Sequence, residues 1–226
     1  MAKSASPGTC MLCRYRSGKA AMVRHVSSCA AAHDASKGTP TRLYHLRVEG
    51  AGAPMYWLDL EMKADATLNR LDRFLRDIWL ECCGHLSAFN IDQMRFTIPI
   101  DDPFDDFRED RSMNYKIGEV LRPDGHKFSY EYDFGSTTYL NLRVMGSREG
   151  VIGRSLLRLL ARNDPPVWPC EVCHEPATLV CPFCLGEDRA FYCAAHSGEH
   201  KCDEEGVWLP VVNSPRMGTC GYTGGV

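Results

Sequence analysis

The sequence predicts an α+β fold whose body is a mixed or antiparallel sheet with a packed helix. Three observations predict it. Residues 67–83 carry apolar side chains at helical spacing, whereas residues 128–144 alternate with a period of two. Cysteine and histidine crowd into two short stretches near either end of the chain. That leaves residues 41–160 as the only segment able to build a sizeable apolar core.

Within that segment, residues 43–48 and 55–60 read as strands flanking Gly50-Ala51-Gly52, a turn-like break. Leu68, Leu71, Phe74, Leu75, Ile78, Trp79 and Cys82 give the helix one buried face. Asp65 or Thr67 can cap its start, and Gly84 can end it in a left-handed conformation. Short strands follow at 86–90 and 93–98, then an acidic loop around Pro103. Residues 116–121 read as a short helix ended by Pro123-Asp124-Gly125. In the hairpin, Phe128, Tyr130, Tyr132 and Phe134 alternate with Ser129, Glu131 and Asp133. After Gly135, Thr138, Leu140, Leu142 and Val144 alternate with Tyr139, Asn141 and Arg143. Residues 153–160, with Leu156, Leu157, Leu159 and Leu160, are expected to add a last helix. The proline-rich stretch 163–169 cannot sustain a helix and reads as a linker.

A hydrophobic content of 44% with 24% charged residues describes a globular chain of 226 residues. No run approaches the roughly 20 apolar residues that cross a bilayer, so no membrane association is expected. The first residues lack a secretory h-region, so a cytoplasmic location is expected. The net charge of −3 is unevenly spread. Lys3, Arg14, Arg16, Lys19, Arg24, Lys37, Arg42 and Arg47 face only Asp34 and Glu49 in the first 50 residues. Between 91 and 110, Asp92, Asp101, Asp102, Asp105, Asp106, Glu109 and Asp110 outnumber Arg95 and Arg108. A basic head suits phosphate contact, whereas an acidic middle argues against one continuous nucleic-acid surface.

Twelve cysteines is a high count, and in a reducing compartment they are not expected to pair as disulfides. Nine of them fall in the two clusters, a pattern of metal ligation. In the head, Cys10-x2-Cys13 forms a knuckle, followed by His25-x3-Cys29. Three intervening residues place His25 and Cys29 one helical turn apart on one face. A Cys/Cys/His/Cys set gives closed tetrahedral zinc coordination, which is structural rather than catalytic. His33 is a spare or alternative ligand. So short a segment has almost no core of its own, so metal is expected to supply most of its folding free energy. Lys19 and Arg24, on or near the finger's helix, make nucleic-acid contact a possible use of the head.

Towards the C-terminus, Cys170, Cys173, Cys181, Cys184, Cys193, His196, His200 and Cys202 offer eight ligands for two zinc ions. Sequential pairing would crowd the last four around one ion within ten residues. Cross-brace pairing relieves that: Cys170 and Cys173 join Cys193 and His196, while Cys181 and Cys184 join His200 and Cys202. This spacing resembles MYND, HIT and B-box fingers, although the final His-x-Cys departs from the usual MYND pattern. That resemblance implies binding to a protein partner. Three zinc ions per chain are therefore expected, in two small zinc-binding modules flanking the body: residues 1–38 and 170–226.

The run Phe128-Ser129-Tyr130-Glu131-Tyr132-Asp133-Phe134-Gly135 resembles the signature of the plasmid pRi ORF-three-like family, also labelled the insertion-element passenger TnpR family. Residues 44–48, Thr67-Leu68 and His85-Leu86 with Phe89 match that family's opening strand, helix start and next strand. The resemblance implies an α+β domain over about residues 41–150, often linked to mobile elements, with no established activity. The family's Asp, Trp and His after the Tyr-Asp-Phe-Gly run are here Ser136, Thr138 and Leu140, so a polar site built from them could not form.

The remaining candidates bear on an enzyme reading. His85 and Asp133 are an acid/base pair if adjacent; otherwise each serves a turn or a helix end. Cys82-Cys83 reads as core packing, and Cys220 as a free thiol in a tail. The acidic loop lacks an EF-hand pattern, and the C-terminal glycines make no phosphate loop. The leading expectation is a non-enzymatic zinc-binding adaptor. The alternatives are a nucleic-acid-processing accessory enzyme and a DNA-binding regulator using the basic head.

Overall fold

The computed structural model describes residues 7–98, 110–187, 189–202 and 207–225. The chain divides into two compact units: unit 1 comprises Met1–Phe74 and Leu86–Asp164, and unit 2 comprises Leu75–His85 and Pro165–Val226.

Unit 1 opens with strands β1 (Pro7–Cys10) and β2 (Arg16–Gly18) and helix α1 (Lys19–Ala32). Strands β3 (Thr41–Gly50) and β4 (Ala53–Lys63) form a hairpin whose turn places Gly52 at φ +77°. Helix α2 (Leu68–Leu75) precedes β5 (Ser87–Ile91), β6 (Met94–Thr97) and β7 (Arg111–Ser112). The short helix α3 (Ile117–Val120), hairpin β8 (Lys127–Tyr132) and β9 (Thr138–Gly150), and strand β10 (Leu157–Asn163) complete it. Among the described residues, these ten strands form one mixed sheet in the order β2-β1-β10-β4-β3-β9-β8-β5-β6-β7, in which β6 and β7 pair in parallel and the other neighbours antiparallel.

Register explains why β3 and β4 are buried almost continuously: each face of the sheet carries a helix. On one face, Leu46 pairs with Leu60 and Val144, and Val48 with Leu58 and Leu142. Tyr130, in register with Leu140 and Phe89, belongs to this apolar layer and donates its hydroxyl to Asp72 of α2 at 2.8 Å. On the other face, Met22, Val26 and Ala30 of α1 pack with Trp57, Leu160 and Ala161. That face also holds charge. Asp59 takes His45 at 2.9 Å and Arg47 at 2.6 Å, and Glu61 takes Arg148 at 2.7 Å and Arg158 at 2.8 Å.

The structure departs from the sequence expectations in four places. The head does not flank the sheet as a separate module, because β1 pairs with β10 and its helix shares the sheet's core. Residues 153–160 do not form a helix. Leu157, Leu159 and Leu160 enter strand β10, an interior strand of the sheet in which Leu157 and Leu160 are buried, while Leu156 stays exposed before it. The helix expected over 67–83 passes at Arg76 into a π-helical turn, Arg76–Leu80, and Glu81 is already extended. There the Glu81 carboxylate accepts from Arg76 Nε at 2.7 Å and from the Gly84 amide at 2.6 Å, folding the chain back. The hairpin alternation runs as expected through Tyr132. It stops at Asp133, whose φ of +67° turns the backbone and leaves Phe134 exposed beneath the Arg95 guanidinium.

Unit 2 carries a three-stranded sheet in the order β12-β11-β13, from strands β11 (Leu179–Val180), β12 (Phe191–Tyr192) and β13 (Leu209–Pro210). Its small core gathers Val180, Cys181, Cys184, Ala190, Leu209 and Met217. Among the described residues, no helix is long and apolar enough to cross a membrane.

Candidate metal centres

The first centre is built on a turn between β1 and β2. The Cys10 carbonyl accepts the Arg14 amide at 3.0 Å, and the Cys10 amide donates to the Tyr15 carbonyl at 2.8 Å. Arg14 takes φ +67° to close that turn, so the sulfurs of Cys10 and Cys13 face the same side. His25 and Cys29 come from α1, one turn apart. Cys13 Sγ lies 3.2 Å from His25 Nε2, and Cys10 Sγ lies 3.9 Å from Cys29 Sγ. His33 stays outside this set: its Nδ1 lies 2.9 Å from the Cys29 carbonyl oxygen, at the C-cap of α1.

The C-terminal module repeats the turn. The Cys170 carbonyl accepts the His174 amide at 2.9 Å, the Cys170 amide donates to the Glu175 carbonyl at 2.8 Å, and His174 has φ +62°. The eight ligand candidates gather crosswise. Cys170, Cys173, Cys193 and His196 make one set, and Cys181, Cys184, His200 and Cys202 the other. In the first, Cys173 and Cys193 sulfurs are 3.9 Å apart and His196 Nδ1 is 3.3 Å from Cys193 Sγ. In the second, Cys202 Sγ lies 3.6 Å from Cys184 Sγ and 4.0 Å from Cys181 Sγ. In each of these sets the ligand atoms lie within 4.8 Å of one another.

Two observations fit a metal at these positions. Both ring nitrogens of His200 are shielded from solvent without a hydrogen-bond partner, although the ring packs against Tyr192 and Trp208. A buried imidazole in that state is costly unless a nitrogen ligates something. The thiols also oppose one another. Burial, then the neighbouring Cys13 and Cys10 sulfurs, push Cys29 up to about 12. Burial, then Cys202 and Cys181, do the same to Cys184. Burial also raises Cys170, but the backbone amides of Cys173, Cys193 and Val172 outweigh it and bring that thiol down to about 6. Thiolates crowded this closely are stabilised by a bound cation. Four protein ligands fill a tetrahedral shell and leave no position for an activated water.

A fourth gathering was not foreseen. Cys82, Cys83, His85 and Cys220 converge in unit 2. This corrects the core-packing reading of Cys82-Cys83, because Cys82 is half-buried and Cys83 exposed, and it removes Cys220 from the class of isolated tail thiols. The available signal was Cys-Cys-x-His itself, but its fourth member lies 135 residues away in sequence from His85. His85 turns Nε2 towards sulfur, and Asp133 Oδ1 accepts the amides of Gly135 and Ser136, closing its own turn. At the positions where the family carries a Trp and a His, Thr138 starts β9 and Leu140 is fully buried.

The buried ion network was also missed, since alternating charges in strands give no sequence signal of who pairs. Its members His45, Glu61 and Arg148 line part of a cavity of about 110 Å³. Of the acidic stretch, 101–109 lie outside the described residues. Asp110 and Asp92 are paired with Arg95 and Arg122.

Residues 42–151 match the family model described as plasmid pRiA4b ORF-3-like protein. Among solved structures, the chain is similar to a protein of unknown function from Methanosarcina mazei Go1. The identity is 17% and the TM-score 0.46, over 55% of this chain and 70% of that one. No curated protein matches the chain.

Proposed function

We propose that the chain is a zinc-binding adaptor without chemistry of its own, in which zinc holds small modules that present surfaces to a protein partner. The observation that carries this reading is the gathering of three four-ligand sets from Cys10, Cys13, His25, Cys29 and the eight C-terminal residues, since four protein ligands leave a tetrahedral ion no position for water. An exposed apolar residue at the tip of each knuckle supports a protein partner: Met11, Val172 and Phe183 sit between paired cysteines and stand in solvent. A reducing, cytoplasmic setting suits thiolate ligands. The link to mobile elements rests on the family's plasmid name.

Nucleic-acid contact through the head is the second reading, favoured by Arg24, exposed on α1. Against it, Arg16, Lys19 and Arg47 are engaged by Asp164, Glu49 and Asp59.

The test is zinc analysis of the purified full chain. The expected result is at least three ions per chain, with those of residues 170–202 removed by chelators only as that module loses structure. Zero or one ion, or zinc stripped from residues 170–202 with their fold unchanged, would overturn the proposal. Binding to an RNA or DNA oligomer that falls steeply with salt and needs Arg24 would instead favour the second reading.

A further inference from the structure

We infer that Cys82, Cys83, His85 and Cys220 form a fourth zinc site, which pins the C-terminal tail to the chain leaving the π-helical turn. The inference goes beyond the three sets above, because no spacing rule joins these residues.

The geometry matches those sets. Tetrahedral zinc with Zn–S bonds of about 2.3 Å holds its sulfurs roughly 3.8 Å apart. Cys83 Sγ lies 3.5 Å from Cys82 Sγ and 3.8 Å from Cys220 Sγ. His85 Nε2 lies 2.9 Å from Cys83 Sγ and 3.2 Å from Cys220 Sγ, so one nitrogen and three sulfurs enclose a common point. Three thiolates and an imidazole are a zinc donor set.

Two independent features surround the cluster. Arg216, fully buried, donates from Nη2 to Cys82 Sγ at 3.4 Å. Zn2+ with three thiolates and a neutral imidazole carries a net charge of −1, the complement of that guanidinium. The tail is also built to deliver Cys220. Ser214 Oγ donates to the Trp79 carbonyl at 2.6 Å and accepts the Arg216 amide at 2.9 Å. The Thr219 amide then donates to the Arg216 carbonyl at 3.0 Å, and Cys220 adopts φ +49° between Gly218 and Gly221, both also at positive φ. A non-glycine residue held there costs energy that surrounding contacts must offset, a pattern found at ligand clamps.

The experiment compares metal content of the full chain, purified reduced with zinc supplied, with that of Cys220→Ser and His85→Gln, by native mass spectrometry and elemental analysis. Each variant is expected to hold one ion fewer than the parent, four falling to three, with its tail newly open to protease. Equal zinc in parent and variants would overturn the fourth site. So would a parent mass two daltons low, which marks a disulfide among these thiols. A parent with three ions and no loss in either variant would sink this site alone, whereas a parent with zero or one would sink the three-set reading as well.

Discussion

The head and the C-terminal module use the same cysteine turn, down to the left-handed residue after the second cysteine, yet they are supported differently. In the head, the helix that brings His25 and Cys29 also buries Met22, Val26 and Ala30 against Trp57, Leu160 and Ala161. Sheet pairing of β1 adds to this. In the C-terminal module, the sheet that accompanies the crossed ligand sets has three strands of only two residues each. A knuckle can thus be fastened to a core or stand in for one. The expectation that metal supplies most of the head's folding free energy is corrected accordingly: the head has the sheet's core to lean on.

The largest effect should come from Cys202→Ser. Structural zinc contributes roughly 10–16 kcal/mol in finger peptides, as much as the whole stability of an ordinary domain. Loss of one crossed set should open residues 170–202 to protease and lower zinc content by at least one ion. A variant that stays protease-resistant there would erase the contrast. In the head, Cys13→Ser should release its ion yet leave α1 docked, with helical circular dichroism largely kept. Met22→Ala should cost unit 1 about 2–5 kcal/mol by denaturant titration. If Cys13→Ser unravels α1 while Met22→Ala is silent, metal rather than packing holds the head.

A smaller effect is expected for Gly8→Ala. A Cβ there would stand 2.4 Å from the Trp57 ring and 2.6 Å from the Arg162 carbonyl oxygen, wedging β1 off the sheet. A loss of about 1–3 kcal/mol is expected, and an unchanged denaturation midpoint would show that β1 contributes little. The smallest effect concerns acid. The hydrogen bond from Arg148 outweighs burial and holds the Asp34 carboxyl at about 2. A depressed carboxylate contributes stability above its unfolded value near 4, and that contribution is lost as pH falls through 2. Because Asp34 is partly exposed, about 1 kcal/mol is at stake. Asp34→Asn should flatten the stability profile of unit 1 between roughly pH 4 and 2; an unaltered slope would assign the acid sensitivity elsewhere.

Local signals in the sequence were legible, and distant ones were not. Alternation at Phe128, Tyr130 and Tyr132 and at Leu140, Leu142 and Val144 gave the hairpin, because period two is a property of neighbours. The crowding of Cys193, His196, His200 and Cys202 within ten residues pointed to the crossed arrangement for the same reason. The strand at Leu157–Asn163 was hidden, since a leucine run suits a helix or a central strand equally until its neighbours β1 and β4 are known. The gathering of Cys82, Cys83 and His85 with Cys220 was hidden by separation, as were the ion pairs of Glu61 with Arg148 and Arg158, 87 and 97 residues away.

The split composition of unit 2 has a consequence for the order of events on the ribosome. Residues Leu75–His85 belong to a unit whose other part begins at Pro165, and the Trp79 carbonyl waits for Ser214. Synthesis at about 5–20 residues per second separates His85 from Cys220, 135 positions later, by roughly 7–27 s. During that interval the strands of unit 1, which end at Asn163, are all made. Cys82, Cys83 and His85 would meanwhile lack the fourth ligand of the site inferred above.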